Sequence, residues 1–248
     1  MRPPVFFMQD RWLFLFMAKL PKLDNWEKSE LVQHEKFIAD LLKIAREDLA
    51  EHSINVSTPR WQELLYRLEE AFRKRTCPPD IDLLLAGLAE DDYLPPKVRE
   101  YINARDMTPR NYWQSISPEL LRACEDGLFY VEPLAFCYLL PAYLRVCIQR
   151  SRYLFHDSVF FLLCYDPADR GAKRLAPLSA AERAVVTDIV NERRCEALFD
   201  EKDLFEAELL PWEYEQMLAE NPAADKHDRY HFAERMATEY AERTGYLG

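Results

Sequence analysis

The chain has 248 residues, 49% of them apolar and 30% charged, a composition that excludes a disordered polymer and suits one large domain with a sizeable core. Only five glycines occur, so glycine-rich phosphate loops are scarce, and none of the six cysteines forms a CxxC pair, which argues against a disulfide framework or a zinc site. The net charge of −11 is uneven: residues 196–248 carry 14 acidic and 5 basic side chains (net −9), whereas residues 1–195 carry 29 and 27 (net −2).

The first 22 residues contain two apolar runs that Gln9, Asp10 and Arg11 separate. These polar residues interrupt the apolar region that a secretory signal would need, and no small-residue cleavage site is clear. The stretch is also too short and too interrupted to cross a bilayer. Met8 and Met17 are candidates for the true start of the chain. We therefore predict a non-secreted, cytoplasmic protein in which residues 1–22 form an apolar N-terminal arm.

The following segments predict helices almost throughout. Residues 25–51 place apolar side chains at helical spacing. Thr58 before Pro59 and Ser117 before Pro118 are helix start signals, because each pairs a capping hydroxyl with a proline in the first turn. Residues 166–179 are the longest predicted loop. The sequence shows neither strand–helix alternation nor a fixed repeat, so we predict an all-α fold of about nine to eleven helices.

The most apolar stretch, residues 129–148, is about as long as a membrane-spanning helix. Glu132 and Arg145 lie within it, and charges are costly inside a bilayer. Pro141 has no backbone N–H for the carbonyl of Cys137, so a helix here is predicted to kink or break. The stretch therefore predicts a bent helix, over residues 132–150, that is buried in a globular core.

The last part of the chain predicts charged helices. Ser179 and Glu182 form a capping-box pattern before an amphipathic run, and residues 200–220 and 226–244 predict two more helices. The complete prediction is an all-α, single multi-helix domain with an acidic helical C-terminal extension. Its parts are the arm at 1–22, a helical core domain at 23–195, and an acidic helical segment at 196–248 that packs on the core.

The stretch around residues 128–144 also carries a resemblance to a known family. It contains Pro-x-Ala-Phe-x-Tyr-x-Leu-Pro-Ala-Tyr-Leu, and together with an upstream Trp it resembles an uncharacterised bacterial all-helical family of unknown function. The matching residues are Trp113, Leu128, Pro133, Ala135, Phe136, Tyr138, Leu140, Pro141, Ala142, Tyr143 and Leu144, whereas Leu134 and Leu139 depart from the pattern. The similarity extends over residues 64–195.

This resemblance implies a helical bacterial domain to which no catalytic role is attached. Proteins of this kind are often found beside secreted toxins, as immunity proteins in interbacterial competition such as type VI secretion. The resemblance therefore implies a toxin as partner.

Two patterns invite a chemical interpretation. His227 and His231 lie four residues apart with Glu234 following, a spacing that suits metal ligands on one helix face. The Glu of a zinc-protease HExxH is absent, since Asp228 stands there, and an exposed polar helix face is the preferred interpretation. His156, Asp157 and Ser158 are adjacent, so on a helix they point in different directions and cannot form one relay.

The acidic segment offers a different kind of site. Its carboxylates alternate with apolar and aromatic side chains, which is typical either of an amphipathic helix with a solvated face or of an interface for a basic protein. On the second interpretation we predict a partner-binding site formed by Asp200, Glu201, Asp203, Glu206, Glu208, Trp212, Glu213, Tyr214 and Glu215.

These observations lead to a functional prediction. We expect a cytoplasmic immunity protein that binds a cognate, basic toxin, such as a nuclease, and occludes it. The immunity protein itself is expected to have no catalytic residues, cofactor or metal. It is also expected not to bind nucleic acid or membrane. The alternatives are an enzyme with a pocket beside helix 132–150, near Tyr138, Tyr143 and His156, and an adaptor subunit. A deep polar cavity beside Pro141 would favour the enzyme, and a flat acidic patch over 200–215 would favour the binding protein.

Overall fold

In the computed structural model, the described residues are 22–51, 58–78, 95–105, 112–149, 159–164, 171–199 and 209–246. These ranges contain ten α-helices and no strand, which confirms the predicted all-α fold. The helices are α1 (Asn25–Glu51), α2 (Pro59–Ala71), α3 (Pro96–Arg105), α4 (Pro118–Ala123), α5 (Pro133–Gln149), α6 (Phe161–Cys164), α7 (Ala172–Leu175), α8 (Ala180–Phe199), α9 (Pro211–Glu220) and α10 (Lys226–Thr244). Two 3-10 helices, Trp113–Ser115 and Glu125–Phe129, flank α4.

The predicted start signals begin helices where expected. The hydroxyl of Thr58 accepts a hydrogen bond from the backbone N–H of Trp61, and that of Ser117 accepts one from Leu120. Ser179 and Glu182 form the reciprocal capping box at the start of α8. The predicted loop over 166–179 is wrong in part, because residues 172–175 within it are the short helix α7.

Helix α5 forms the centre of the core. Its predicted burial is confirmed from Ala135 on and is wrong for the start of the predicted stretch, where Phe129, Tyr130 and Leu134 are exposed. Every residue from Ala135 to Ile148 except Arg145 is buried. The helix continues through Pro141 without breaking, because packing on all sides holds the chain in its helical path even though Pro141 supplies no N–H. Among the described residues, no helix is long and apolar enough to cross a membrane.

Arg145 explains how a charge fits into this apolar helix. Its guanidinium donates to the backbone carbonyls of Gln114 at 2.5 Å and Ile116 at 3.1 Å, and it lies over the ring of Trp113. Arg145 therefore links α5 to the 3-10 helix at residues 113–115.

Helix α8 is the second central element. It packs against both α2 and α10. The domain boundary that we predicted after residue 195 falls inside this helix, which ends at Phe199. Leu210, at the start of α9, belongs to the same hydrophobic cluster as α5. The described C-terminal residues are thus joined to the core through α8.

Candidate functional site

Helix α8 carries an unusual number of charged residues into the interior. Those buried are Glu182, Asp188, Glu192, Arg193, Arg194 and Glu196. A buried charge is costly unless another group compensates it. The partners come from several elements: Arg75 pairs with Glu182, the indole N–H of Trp61 donates to Glu196, and the hydroxyl of Tyr240 donates to Glu192. This polar network joins α2, α8 and α10.

The predicted partner-binding residues fall into two groups. Asp200, Glu201, Asp203, Glu206 and Glu208 lie outside the described residues. The other four lie in the first two turns of α9, and the structure gives each a different environment.

Glu213 requires a correction, because its carboxylate is not on the surface. The side chain is 1% exposed and forms two hydrogen bonds with the guanidinium of Arg194, at 2.8 and 3.0 Å. It also accepts the backbone N–H of Leu210, which closes the first turn of α9. Burial on its own would lower the pKa of Arg194, but the nearby carboxylate outweighs it and raises the pKa above its ordinary value. Glu213 therefore anchors α9 to α8 and is unable to contact a partner protein in this conformation.

Trp212 and Tyr214 are half-buried and also hold α9 in place. The indole N–H of Trp212 donates to the hydroxyl of Thr187 on α8 at 3.0 Å, and Arg183 lies over its ring. The ring of Tyr214 lies under the guanidinium of Arg229 on α10. Intramolecular contacts thus cover much of the surface of both aromatic side chains.

Glu215 is the one of these four whose side chain is exposed. Glu220 and Asp225 continue the exposed acidic surface beyond it, and α9 contains no basic residue. The pKa of Glu220 is lowered, chiefly because Arg235 and then Gln216 donate hydrogen bonds to its carboxylate. The described surface of α9 and its following turn is accordingly anionic at neutral pH.

The two histidines of the sequence pattern lie on an exposed face of α10. The Nε2 atoms of His227 and His231 are 3.0 Å apart, and Glu234 Oε2 is 3.4 Å from His231 Nδ1. Within the described ranges, no three His, Cys, Asp or Glu side chains are grouped so that they could hold a metal ion.

The residues in and around α5 are relevant to the alternative prediction, an enzyme with a pocket beside this helix. Tyr138 and Tyr143 are fully buried, and the Tyr143 hydroxyl lies 3.1 Å from the carbonyl oxygens of both Leu121 and Cys124. His156 lies outside the described residues. Burial raises the pKa of the Cys137 and Cys147 thiols to about 12, so both stay protonated at neutral pH and lack the thiolate that a nucleophile needs.

A cavity of ≈ 20 Å³ lies beside the C-terminal half of α5. This volume holds about one water molecule, which is too little for a substrate. The cavity is lined by Trp61, Cys147, Ile148, Phe160, Ile189, Arg193 and Glu196.

A larger groove, of ≈ 430 Å³, lies between α2, α8 and α10 and was not predicted from the sequence. Asp188 lines it, and one oxygen of its carboxylate accepts a hydrogen bond from Arg67 at 2.5 Å and the other accepts one from Arg243 at 2.7 Å. The available signal was Asp188 followed by the run of polar residues from Asn191 to Arg194, but the sequence does not show which neighbours they face. The groove is lined by Arg67, Ala184, Thr187, Asp188, Asn191, Met236, Glu239, Tyr240 and Arg243.

Comparison with known families supports the resemblance seen in the sequence. The model of DUF6714, a family of unknown function, matches residues 60–197, which is more than half of the chain. The chain belongs to the DUF6714 family. Membership in an uncharacterised family is thereby confirmed. No curated protein and no solved structure matches the chain.

The DUF6714 match covers the region from α2 to near the end of α8. It includes Arg67, Asp188 and Asn191 of the groove but not Arg243. The acidic segment and helices α9 and α10 lie outside the matched range. In this member of DUF6714, several residues that pair with the buried charges of α8 therefore lie outside residues 60–197, the range that the family model matches.

Proposed function

We propose that this protein is an immunity protein that binds a basic toxin through an acidic surface on residues 200–225 and occludes its active site. The observation that carries the proposal is the concentration of charge. Residues 200–225 contain nine acidic side chains and one basic side chain, net −8, most of the chain's total of −11. One of the nine, Glu213, is buried against Arg194 and is not part of the surface. Such a surface attracts a basic protein and repels nucleic acid and anionic lipid.

The way in which α9 is held supports this function. The buried pair of Arg194 and Glu213 and the hydrogen bond of Trp212 fix the helix to α8. Glu215 and Glu220 then project from a positioned element. A preorganised surface loses little conformational entropy when it binds, which favours tight and selective association.

The identity of the partner as a toxin rests on the genomic setting that the family resemblance implies. A nuclease is a suitable class of toxin because its active site must be basic to bind a phosphate backbone. An acidic surface that covers such a site would inhibit the nuclease by steric exclusion of its substrate.

The first experiment is to capture the partner from the native host and to measure its association rate with the purified protein at several salt concentrations. We expect the rate to fall by roughly tenfold or more between about 20 mM and about 500 mM salt, since exposed charges steer the encounter and salt screens them. A flat rate contradicts the steering, and a partner that is neither basic nor toxic contradicts the immunity function.

A charge-matched pair of variants localises the surface. In the first variant, Asp200, Glu201, Asp203, Glu206 and Glu208 are replaced by their amides. In the control variant, five exposed acids of α1 and α2 are replaced in the same way, namely Glu35, Asp40, Glu47, Glu51 and Glu63. We expect the first variant to bind more slowly and with a weaker salt dependence, and the control to resemble the wild type. If both variants slow association equally, the net charge of the protein controls the association rate, and the position of the acidic residues does not.

A further inference from the structure

The exposed face of α10 brings two histidine nitrogens close together. His227 and His231 lie about one turn apart, and their Nε2 atoms are separated by 3.0 Å. The centres of the two rings are 4.3 Å apart, which is more than the separation of the nitrogens, so the rings tilt their Nε2 ends toward each other. Both side chains are exposed, so an ion in solution reaches these nitrogens without any change in the core.

The carboxylate of Glu234 determines which nitrogen of His231 is available to an ion. Its Oε2 atom lies 3.4 Å from Nδ1 of His231, whereas Nε2 of the same ring faces His227. An ionised carboxylate only accepts, so Nδ1 carries the hydrogen and Nε2 keeps its lone pair. Metal-binding histidines commonly have this arrangement, because a carboxylate on one nitrogen orients the ring and makes the other nitrogen more basic.

The separation of the two Nε2 atoms indicates which ions fit between them. Imidazole nitrogens bind a divalent transition metal at about 2.0–2.1 Å, so a separation of 3.0 Å corresponds to an angle of about 95° at the metal. Tetrahedral coordination would require a separation of about 3.3 Å. An angle near 90° belongs to square-planar and octahedral ions, which for nitrogen ligands means Cu²⁺ and Ni²⁺.

Helix α10 holds the two histidines in position before an ion arrives. The carboxylate of Asp225 accepts a hydrogen bond from the backbone N–H of His227 at 2.7 Å, which fixes the first turn. Phe232 and Ala233, directly after His231, are buried and anchor the second turn. Side chains on a fixed helix lose little conformational entropy when they bind. The net charge of −9 on residues 196–248 also attracts cations to this part of the molecule.

We infer that His227 and His231 form a two-histidine site for a Cu²⁺ or Ni²⁺ ion, in which Glu234 orients His231. Within the described ranges no group of three ligating side chains occurs, so water fills the remaining positions of the ion. In the metal-free protein, the Nε2–H of His227 donates to the lone pair of His231. The ion takes the place of this hydrogen once His227 carries its proton on Nδ1. The site does not depend on the proposed immunity function.

The test is a calorimetric titration of the full-length protein, without a histidine tag, with NiCl₂ in a buffer that does not bind metals. We expect one Ni²⁺ per chain, and weaker binding of Zn²⁺, which prefers tetrahedral coordination. His227→Gln and His231→Gln should each weaken Ni²⁺ binding by about tenfold or more, since the loss of a residue that only orients a ligand already costs about 10–100-fold. Saturating Ni²⁺ should raise the urea midpoint of the wild type but not of these variants, because the ion binds the folded helix.

Glu234→Gln and Glu239→Gln form a matched pair on α10, because each removes one negative charge. Glu234→Gln should weaken Ni²⁺ binding by about tenfold, since an amide is a weaker acceptor for the Nδ1–H of His231. Glu239→Gln should leave binding unchanged, because Glu239 is exposed two turns further along the helix. The inference is overturned if Ni²⁺ does not bind or if Zn²⁺ binds as tightly. It is also overturned if both histidine variants bind Ni²⁺ like the wild type, as for an adventitious ion elsewhere, or if the two glutamate variants have the same effect.

Discussion

Single buried charges in α8 are stable only because groups from other helices compensate them. Arg194 is 5% exposed and Glu213 is 1% exposed, so neither ion is hydrated to any useful extent. Two hydrogen bonds join them, and Asn191 satisfies a further N–H of the guanidinium. Removing one member of such a pair leaves the other charge buried without compensation, which is more destabilising than losing a surface ion pair.

Glu213→Gln is therefore expected to lower the free energy of unfolding by about 3–5 kcal/mol, because Arg194 remains charged and buried. The measurement is equilibrium unfolding in urea. Glu215→Gln is the control, since it makes the same chemical change two residues away at an exposed position and should alter stability by less than about 0.5 kcal/mol. If the two variants unfold at the same urea concentration, the buried pair does not stabilise the fold.

At the scale of the helices, the described start signals act locally and also make longer-range contacts. Glu182 completes the capping box of α8 and in addition accepts two hydrogen bonds from Arg75. At the start of α10, the carboxylate of Asp225 accepts hydrogen bonds from the backbone N–H groups of His227 and Asp228. These bonds lower the pKa of the Asp225 carboxyl, the bond from Asp228 most strongly. The ionised form of Asp225 thus stabilises the first turn of α10.

The lowered pKa of Asp225 predicts a pH dependence with a definite sign. A carboxyl whose pKa is lower in the folded state adds stability above its unfolded pKa, and this contribution is lost as the pH falls through the folded value. Asp225→Asn keeps a good capping residue but removes the titrating group. We expect the wild type to be more stable than this variant at pH 7, and the difference to shrink below about pH 4. A difference in urea midpoints that does not change with pH would contradict this.

At the scale of the whole molecule, the C-terminal helices complete the core and are not an appendage. Tyr240 and Arg243 of α10 contact Glu192 and Asp188 of α8, and α9 supplies Glu213 for Arg194. Leu210 lies in the main hydrophobic cluster. A chain that ended near the limit of the DUF6714 match would leave three charged residues of α8 without these partners.

We therefore expect a fragment of residues 1–199 to melt at a temperature lower by about 10 °C or more than the full chain. A chain that ends at Tyr246 is the matched control and should melt like the full protein, because it retains the contacts of α9 and α10. Thermal unfolding followed by circular dichroism compares the three. If the fragment melts like the full chain, the C-terminal segment is a dispensable extension.

The sequence by itself determined the all-α class, the main helix starts and the burial of most of the stretch 129–148, namely residues 135–148. Helical periodicity and capping depend on residues within about four positions of each other, so these features can be read from the chain directly. It also determined the net charge of the acidic segment, which tertiary structure cannot change.

Only the tertiary structure decided which polar residues face each other. Glu213 has the same sequence pattern as Glu215, yet one is buried against Arg194, 19 residues away, and the other faces solvent. The groove joins Asp188 to Arg67 and Arg243, which are 121 and 55 residues distant. Such pairings depend on how α2, α8 and α10 pack, because a side chain's partner is set by the faces that two helices bring together and not by local spacing.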